Sequence, residues 1–552
     1  MSQTSPARPT QYDAVIVGAG FAGMYMLHRL RGLGLNTRVF EAGSGVGGTW
    51  FWNRYPGARC DVESMQYSYS FSEDLQQEWK WSELFSSQPE ILRYANHVAD
   101  RFDLRRDIQF DTRVTSAEFD EAARVWNIRT DRGDHATAPF CIMATGCLSA
   151  ARMPDFPGQA DYKGATYHTG EWPHEGVDFT GLRVGVIGTG SSAIQSIPVI
   201  AQQAAEVTVF QRTPNFSIPS RNGPMPDDYA AKWKSDYAAQ RAAARETRNG
   251  ILANPNDISA LALPDPERVE VYEKRWESGG TTFMASFNDL IFNKASNDTA
   301  AEFVRRKIRA MVKDPAVAEL LAPKDHPIGT KRICVDTDYY LAYNRDNVKL
   351  VDVRNAPIEA LTEKGLRTSQ AEYEFDAIVF ATGFDAMTGA LLAIDPKGRD
   401  GLALSGKWAE GPRTYLGLMT AGFPNMFMIT GPGSPSVLSN MIVSIEQDVD
   451  WIAGCLDALR TRGVDTIEAT KAAEDKWVMH GIEVAHTTLY PSAASWYMGA
   501  NIPGKPRVFM PYIGGLSTYR QICADVAAKG YEGFALNASA GAASGVTAAA
   551  AE

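Results

Sequence analysis

The sequence predicts an α/β protein with two Rossmann-like dinucleotide-binding domains, one inserted into the other. Three observations carry the prediction. Two glycine-rich turns each sit between an apolar strand and a helix, and two apolar strands ending in Ala-Thr-Gly bracket the second turn. A stretch of Ala, Glu, Lys and Arg at helical spacing interrupts the pattern, which marks a helical subdomain. The 552 residues suffice for roughly three to four domain-sized units.

The first turn lies in DAVIVGAGFAGMYMLHRLRGLGLNTRVFEA. Ala14 to Val17 is an apolar run suited to a buried parallel strand. Gly18, Gly20 and Gly23 follow in G-x-G-x-x-G spacing with Ala22 inside it, and Met24, Leu27 and Leu30 then recur on one helix face. In such a turn the first glycine allows the tight reversal, the second admits a pyrophosphate, and the third lets helix and strand pack closely. The helix N-terminus presents free N–H groups and a partial positive charge to the phosphates. Glu41 closes the second strand, where a carboxylate accepts hydrogen bonds from ribose hydroxyls.

The second turn, LRVGVIGTGSSAIQSIPVIAQQAAEVTVFQRTP, repeats the pattern with Gly188, Gly190 and Ala193. Alanine is permitted in the third place. Thr189, Ser191, Ser192 and Gln195 occupy the turn and the start of its helix. No carboxylate closes the second strand; Arg212 and Thr213 stand there instead. A guanidinium suits a 2′-phosphate, which it binds through paired hydrogen bonds. The first site is therefore expected to hold FAD and the second NADPH in preference to NADH.

FCIMATGCL and FDAIVFATGFD mark the points where the chain leaves the flavin domain and returns to it. The expected division is a first part of the FAD-binding domain at 1–147 and an NADP-binding domain at 151–221 and 327–384. A helical subdomain occupies 222–326, and the second part of the FAD domain, with the substrate pocket, spans 385–537. A disordered tail is expected at 538–552. Within the helical subdomain, Asn297, Asp298 or Thr299 is the expected cap of a helix whose apolar stripe is Phe303, Ile308, Met311 and Val312.

A net charge of −11 argues against nucleic acid or an anionic membrane as partner. The N-terminus lacks an apolar signal core, and no run approaches the ~18 apolar residues of a membrane span. A cytoplasmic setting is expected. No metal-ligand spacing appears. The architecture alone admits a disulfide reductase, a heteroatom-oxygenating flavin monooxygenase or a ketone-oxygenating one. Cysteine spacing disfavours the first, because the closest pair, Cys141 and Cys147, matches no dithiol relay.

The stretch YKGATYHTGEWP resembles the Baeyer–Villiger monooxygenase fingerprint F-x-G-x-x-x-H-x-x-x-W-P through Gly164, His168, Trp172 and Pro173. Tyr162 stands where that family usually has Phe. GGTWFWNRYPGARCD, GTKRICVDTDYYLAYNRDNV, GPGSPSVLSNM and SWYMGANIPGKPRVFMPYIGG extend the likeness over nearly the whole chain. It is greatest to the branch that includes phenylacetone and steroid monooxygenases. The resemblance implies NADPH- and O2-dependent conversion of ketones to esters or lactones through a flavin C4a-peroxide and a Criegee intermediate. Sulfoxidation is implied as a side activity, and a monomer as the state in solution.

It also implies residue roles. Arg332 corresponds to the arginine that holds the peroxide anion, and Asp61 to the carboxylate that orients it, with Arg59 nearby. Thr49, Trp50, Asp61, Tyr67 and Met441 would line the flavin. Lys331 would be a second contact to the NADPH phosphate, and Trp496 would touch NADP and substrate. Leu148, Ser436, Val437, Leu438 and Met441 would shape the ketone pocket. Gly164, His168, Trp172 and Pro173 are expected in a linker that couples domain orientation to NADPH binding.

Overall fold

The computed structural model describes residues 9–538. The expected tail, apart from its first residue, lies outside them. Two five-stranded parallel sheets organise the chain. The first runs in the order Met426–Met428, Phe140–Met143, Ala14–Val17, Thr37–Phe40, Ile108–Gln109. The second runs Val348–Asp352, Glu206–Gln211, Arg183–Ile187, Ala377–Phe380, Ala165–His168. In each, the strand before the glycine turn is central. The strand after the turn's helix lies on one side of it, and the Ala-Thr-Gly strand on the other.

The central strands are apolar on both faces because both are covered, one by helices and the other by a small sheet. Ile16 packs with Leu27 but Val15 with Trp126, and Val186 packs with Ile194 but Ile187 with Leu366. Ala14, Val15 and Ile16 are fully buried, as are Val184 and Val186. The Phe21–Gly32 helix closes one face of the first sheet and packs on the long Met441–Thr461 helix. Each Ala-Thr-Gly strand is preceded by three antiparallel strands, and in the first case Thr10–Gln11 adds a fourth in parallel. Val114–Asp120, Val125–Thr130 and His135–Ala138 precede the first; Ile358–Thr362, Gly365–Thr368 and Glu372–Glu374 precede the second. The chain thus leaves the first sheet after Phe140–Met143, builds the second, and returns at Met426–Met428.

Two expectations are corrected. The segment carrying the Gly164–Pro173 fingerprint is not only a linker, since Ala165–His168 is the edge strand of the second sheet, with Ala165 opposite Ala377 and His168 opposite Phe380. Its outward residues are exposed, so it shows no apolar run. In the helical stretch, the Lys294–Met311 helix begins earlier than expected and is capped by Asn293, whose side chain accepts from the amides of Ala295 and Ser296. Asn297 lies inside it, fully buried, and donates to the carbonyls of Leu290 and Ile328. An asparagine that satisfies buried backbone looks in sequence like a cap, because both roles need a short amide.

Candidate active site between the two nucleotide turns

The two glycine turns are built alike. Gly18 and Gly188 both have positive φ, +103° and +121°. A Cβ on Gly18 would lie 2.6 Å from the carbonyl oxygen of Ala144, and one on Gly188 would collide with that of Ala381. Both alanines open an Ala-Thr-Gly. The two motifs recur together because each first glycine is pressed against the neighbouring strand's end. Gly190 has no heavy atom within 4 Å of an added Cβ, which leaves the backbone of the second turn open to a phosphate.

At the first turn, Glu41 is 5% exposed; Oε2 accepts from the Ala19 amide at 2.6 Å and Oε1 from Gly43 at 2.7 Å. Burial pushes its carboxyl upward, against the pull of these amides. Glu41 therefore braces the turn as well as ending the strand, and each oxygen retains a lone pair for a ribose hydroxyl. Thr49 and Trp50 begin the short Thr49–Trp52 helix, and the Trp50 indole donates to the Tyr67 hydroxyl at 3.1 Å.

At the second turn, Thr189 donates to the Thr213 carbonyl at 2.8 Å, Ser191 Oγ lies 3.2 Å from Cys334 Sγ, and Ser192 Oγ lies 3.1 Å from Thr169 Oγ1. Arg212 is exposed and within electrostatic range of Lys331. Burial lowers the Lys331 ammonium; Asp325 opposes this and Arg212 adds to it. Among the described residues neither cation forms an ion pair. The Asn215 Oδ1 atom is buried without a partner. Two cations without carboxylate partners, an open glycine and an orphaned acceptor fit a phosphorylated dinucleotide.

Asp61 and Arg332 meet between the turns. Arg332 Nη2 donates to Asp61 Oδ2 at 2.9 Å and Nε to the same oxygen at 3.3 Å. Asp61 is 6% exposed, whereas the Arg332 side chain is 37% exposed, so the cation keeps an open face. Burial works against the Arg332 charge, but the Asp61 carboxylate outweighs it and holds the guanidinium protonated beyond its ordinary range. Burial pushes the Asp61 carboxyl upward, and Arg332 opposes this. Gln195, from the helix of the second turn, donates to the Arg59 carbonyl at 3.1 Å and to Asp61 Oδ1 at 3.4 Å, and its Oε1 accepts from Tyr55 at 2.8 Å. Arg59 lies nearby, its carbonyl sharing Gln195 with Asp61, while its guanidinium is committed to Glu83 and the Phe85 carbonyl.

The fingerprint residues have separate physical reasons. A Cβ on Gly164 would collide with the Tyr162 ring, which donates to the Phe375 carbonyl at 3.0 Å. His168 is 3% exposed; its Nδ1 accepts from the Gly170 amide at 3.0 Å, which leaves the proton on Nε2, 3.3 Å from Thr382 Oγ1. Thr382 belongs to the second Ala-Thr-Gly. Burial lowers the His168 pKa, so the ring is a neutral strut. Trp172 is buried against Tyr167 and Phe179. Beyond Pro173, the His174 ring meets Phe51 edge-on at 4.8 Å. The end of the fingerprint thus touches the helix that carries Trp50.

Leu148, Val437, Leu438, Met441 and Trp496 share one apolar cluster with Cys147, Ala386, Met387, Tyr497 and Met510. Ser436 is fully buried beside it, its Oγ 4.0 Å from Met387 Sδ. Cys147, Met387 and Tyr497 escaped the sequence reading. Cys147 was legible only as the neighbour of Leu148 and Tyr497 as that of Trp496, while nothing near Met387 signals a pocket. Tyr497, Cys147 and Tyr67 all lie within electrostatic range of Arg332, which sets that cation beside both the expected flavin contacts and the apolar cluster. A cleft of about 730 Å³ elsewhere, lined by Arg54, Gln88, Arg93 and Pro173, contains neither Asp61 nor Arg332.

A family profile described as pyridine nucleotide-disulphide oxidoreductase matches residues 15–223, which span both glycine turns. The cysteines are all buried and free, so the match reflects nucleotide binding and not a dithiol. The chain is 44% identical over 528 residues to a Baeyer–Villiger monooxygenase of Pseudooceanicola batsensis, covering 94% of this chain and 95% of that one. This chain belongs to the Baeyer–Villiger monooxygenases. It is also 43% identical to acetone monooxygenase (methyl acetate-forming) of Gordonia sp., over 96% of this chain and 99% of that protein. An oxidised steroid monooxygenase bound to NADP matches this Baeyer–Villiger monooxygenase with a TM-score of 0.92 at 55% identity, over 96% of this chain and 100% of the other. Among the described residues no helix is long and apolar enough to cross a membrane, and no group of three or more His, Cys, Asp or Glu is placed to hold a metal ion.

Proposed function

We propose that this chain uses NADPH and O2 to oxidise a ketone to an ester or lactone, with sulfide oxidation as a side activity of the same site. The observation that carries the reading is the Arg332–Asp61 pair standing between the two turns, with Gln195 tying it to the second. FAD and NADPH are the cofactors; when bound, they supply the hydride and the activated oxygen. The protein supplies orientation, charge and exclusion of water.

Gly18, Gly20, Gly23, Glu41, Thr49, Trp50 and Tyr67 would hold FAD, and Gly188, Gly190, Arg212 and Lys331 the NADPH phosphates. Arg332 is the catalytic cation. It stays charged and donates no proton, so it stabilises negative charge that gathers on oxygen as the ketone carbonyl is attacked. Asp61 fixes the plane of the guanidinium. His168, neutral and doubly hydrogen-bonded, holds the second Ala-Thr-Gly instead of moving protons. The apolar Leu148, Val437, Leu438 and Met441 would keep water from the ketone. The strand exchange between the sheets supports the division into a discontinuous FAD domain and an inserted NADP domain. We also read the protein as cytoplasmic, since its cysteines are buried and unpaired, and as a monomer by its family resemblance; light scattering checks the monomer.

Consumption of NADPH and O2 in one-to-one ratio with ester tests the activity, because an enzyme that merely reduces oxygen yields no ester. Arg332→Ala is expected to retain flavin reduction by NADPH and to lose about 10²–10³-fold in ester formation. Ester formation at the normal rate in that variant would remove Arg332 from the chemistry.

A further inference from the structure

The Met441–Thr461 helix buries a carboxylate that no cation among the described residues pairs with. Asp448 is 1% exposed and, among the described residues, forms no ion pair. Its Oδ2 accepts from the Thr430 amide at 2.8 Å. Its Oδ1 lies 3.0 Å from the Tyr519 hydroxyl, and that hydroxyl lies 2.8 Å from the Leu416 carbonyl oxygen. A phenol carries one proton. With Asp448 ionised, Tyr519 can donate to only one of these two acceptors, and the other is left buried without a donor. With a proton on Asp448 Oδ1 the chain closes: the acid donates to Tyr519, and Tyr519 donates to Leu416.

The two backbone groups held by this pair are strained. Thr430 has φ +54° and Leu416 φ +58°, a region that β-branched and bulky residues avoid. Both lead to the pocket wall. A Cβ on Gly417 would lie 2.5 Å from the Ser434 amide nitrogen, so the loop after Leu416 presses on the start of the Ser434–Leu438 segment, which continues from Thr430. Ser436 itself has φ +35°.

We propose that Asp448 is a neutral carboxylic acid in the folded enzyme and, with Tyr519, forms a positioning pair that sets the Ser436–Leu438 wall of the ketone pocket. The positioning half rests on the pocket proposed above; the protonation half does not. Burial pushes the Asp448 carboxyl up to about 7, against the pull of the Thr430 amide and Tyr519. The titratable groups that face it are Tyr519 and Cys523 of the Leu516–Ala528 helix, and burial keeps both protonated. For a carboxyl raised on folding, the associated stability is full below the ordinary carboxylate range and is lost as pH climbs to about 7.

Asp448→Asn reproduces the neutral acid, since its NH2 donates to Tyr519 and its carbonyl accepts from Thr430. The holoenzyme's Tm relative to wild type is therefore expected to shift in favour of Asp448→Asn by about 3 °C as pH rises from about 5 to about 8. A gap that stays constant with pH, with wild type higher throughout, overturns the protonation. Failure of Asp448→Asn to fold where Tyr519→Phe folds does the same. Tyr519→Phe is expected to raise the ketone KM about 3–10-fold with flavin reduction unchanged, whereas Asp448→Asn keeps the wild-type KM. Val437→Ala serves as the reference. If it moves KM and Tyr519→Phe does not, positioning is refuted; if neither does, the pocket assignment fails and the positioning half with it.

Discussion

Arg332 and Arg212 are both cationic, yet the structure gives them opposite surroundings. Arg332 is held by Asp61 with one face open, which favours a fixed charge at a reacting centre. Arg212 is exposed, lies within electrostatic range of Lys331 and, among the described residues, forms no ion pair, which favours a mobile anion clamp. A charge-assisted phosphate contact contributes ~1.5–3 kcal/mol, and 1.4 kcal/mol is tenfold in affinity. Arg212→Ala is thus expected to weaken NADPH about 10–100-fold while leaving NADH nearly unchanged. Steady-state KM values for the two cofactors decide it, and an unaltered preference would move the phosphate contact to Lys331 alone. Arg59, two residues from Asp61, turns its guanidinium to Glu83 and meets Asp61 through Gln195, so its charge serves the fold around the pair.

At the level of elements, the matched contacts of Gly18 with Ala144 and Gly188 with Ala381 make a paired prediction. An alanine at either glycine must adopt a left-handed backbone and drive its methyl into a carbonyl, at a cost of ~2–3 kcal/mol or more. Gly18→Ala is expected to be purified with little FAD, seen as loss of flavin absorbance. Gly188→Ala is expected to retain FAD and to raise the KM for NADPH at least ~30-fold. Loss of FAD in both variants would mean that the turns are not independent. The small sheets before each Ala-Thr-Gly strand are missing from the sequence reading although one face of each is buried, through Trp126 and Ile128 in the first and Leu366 in the second; strands this short offer too few alternations to be assigned from pattern alone. The helix cap at Asn293 was missed for a related reason: several polar residues in succession can each cap, and tertiary contacts choose among them.

Across the whole molecule, the fingerprint links the second sheet to the short helix that carries Trp50. Ala165–His168 is hydrogen-bonded into the second sheet, and the residues after it reach Phe51 beside the flavin-side helix. Trp172, between these two contacts in the chain, is buried against Tyr167 and Phe179 in the core of the second sheet. Trp172→Ala is expected to destabilise the protein by ~3–5 kcal/mol and to lower ester yield per NADPH consumed more than it slows flavin reduction. Trp172→Phe should recover most of the stability. Full coupling in a destabilised Trp172→Ala enzyme would reduce the residue to packing.

The family resemblance implied which arginine takes the catalytic position, whereas residue types and spacings by themselves determined that there are two dinucleotide turns and that a cation rather than a carboxylate ends the second. These follow from local requirements: a tight turn, a helix N-terminus, a carboxylate or a cation at a strand end. Tertiary structure alone decided that Gln195 ties the Asp61–Arg332 pair to the second turn, that Nδ1 of His168 is an acceptor, and that Asp448 and Tyr519 meet Leu416 and Thr430. Such pairings join residues far apart in the chain, and their energies depend on burial and hydrogen-bond geometry that no stretch of sequence contains.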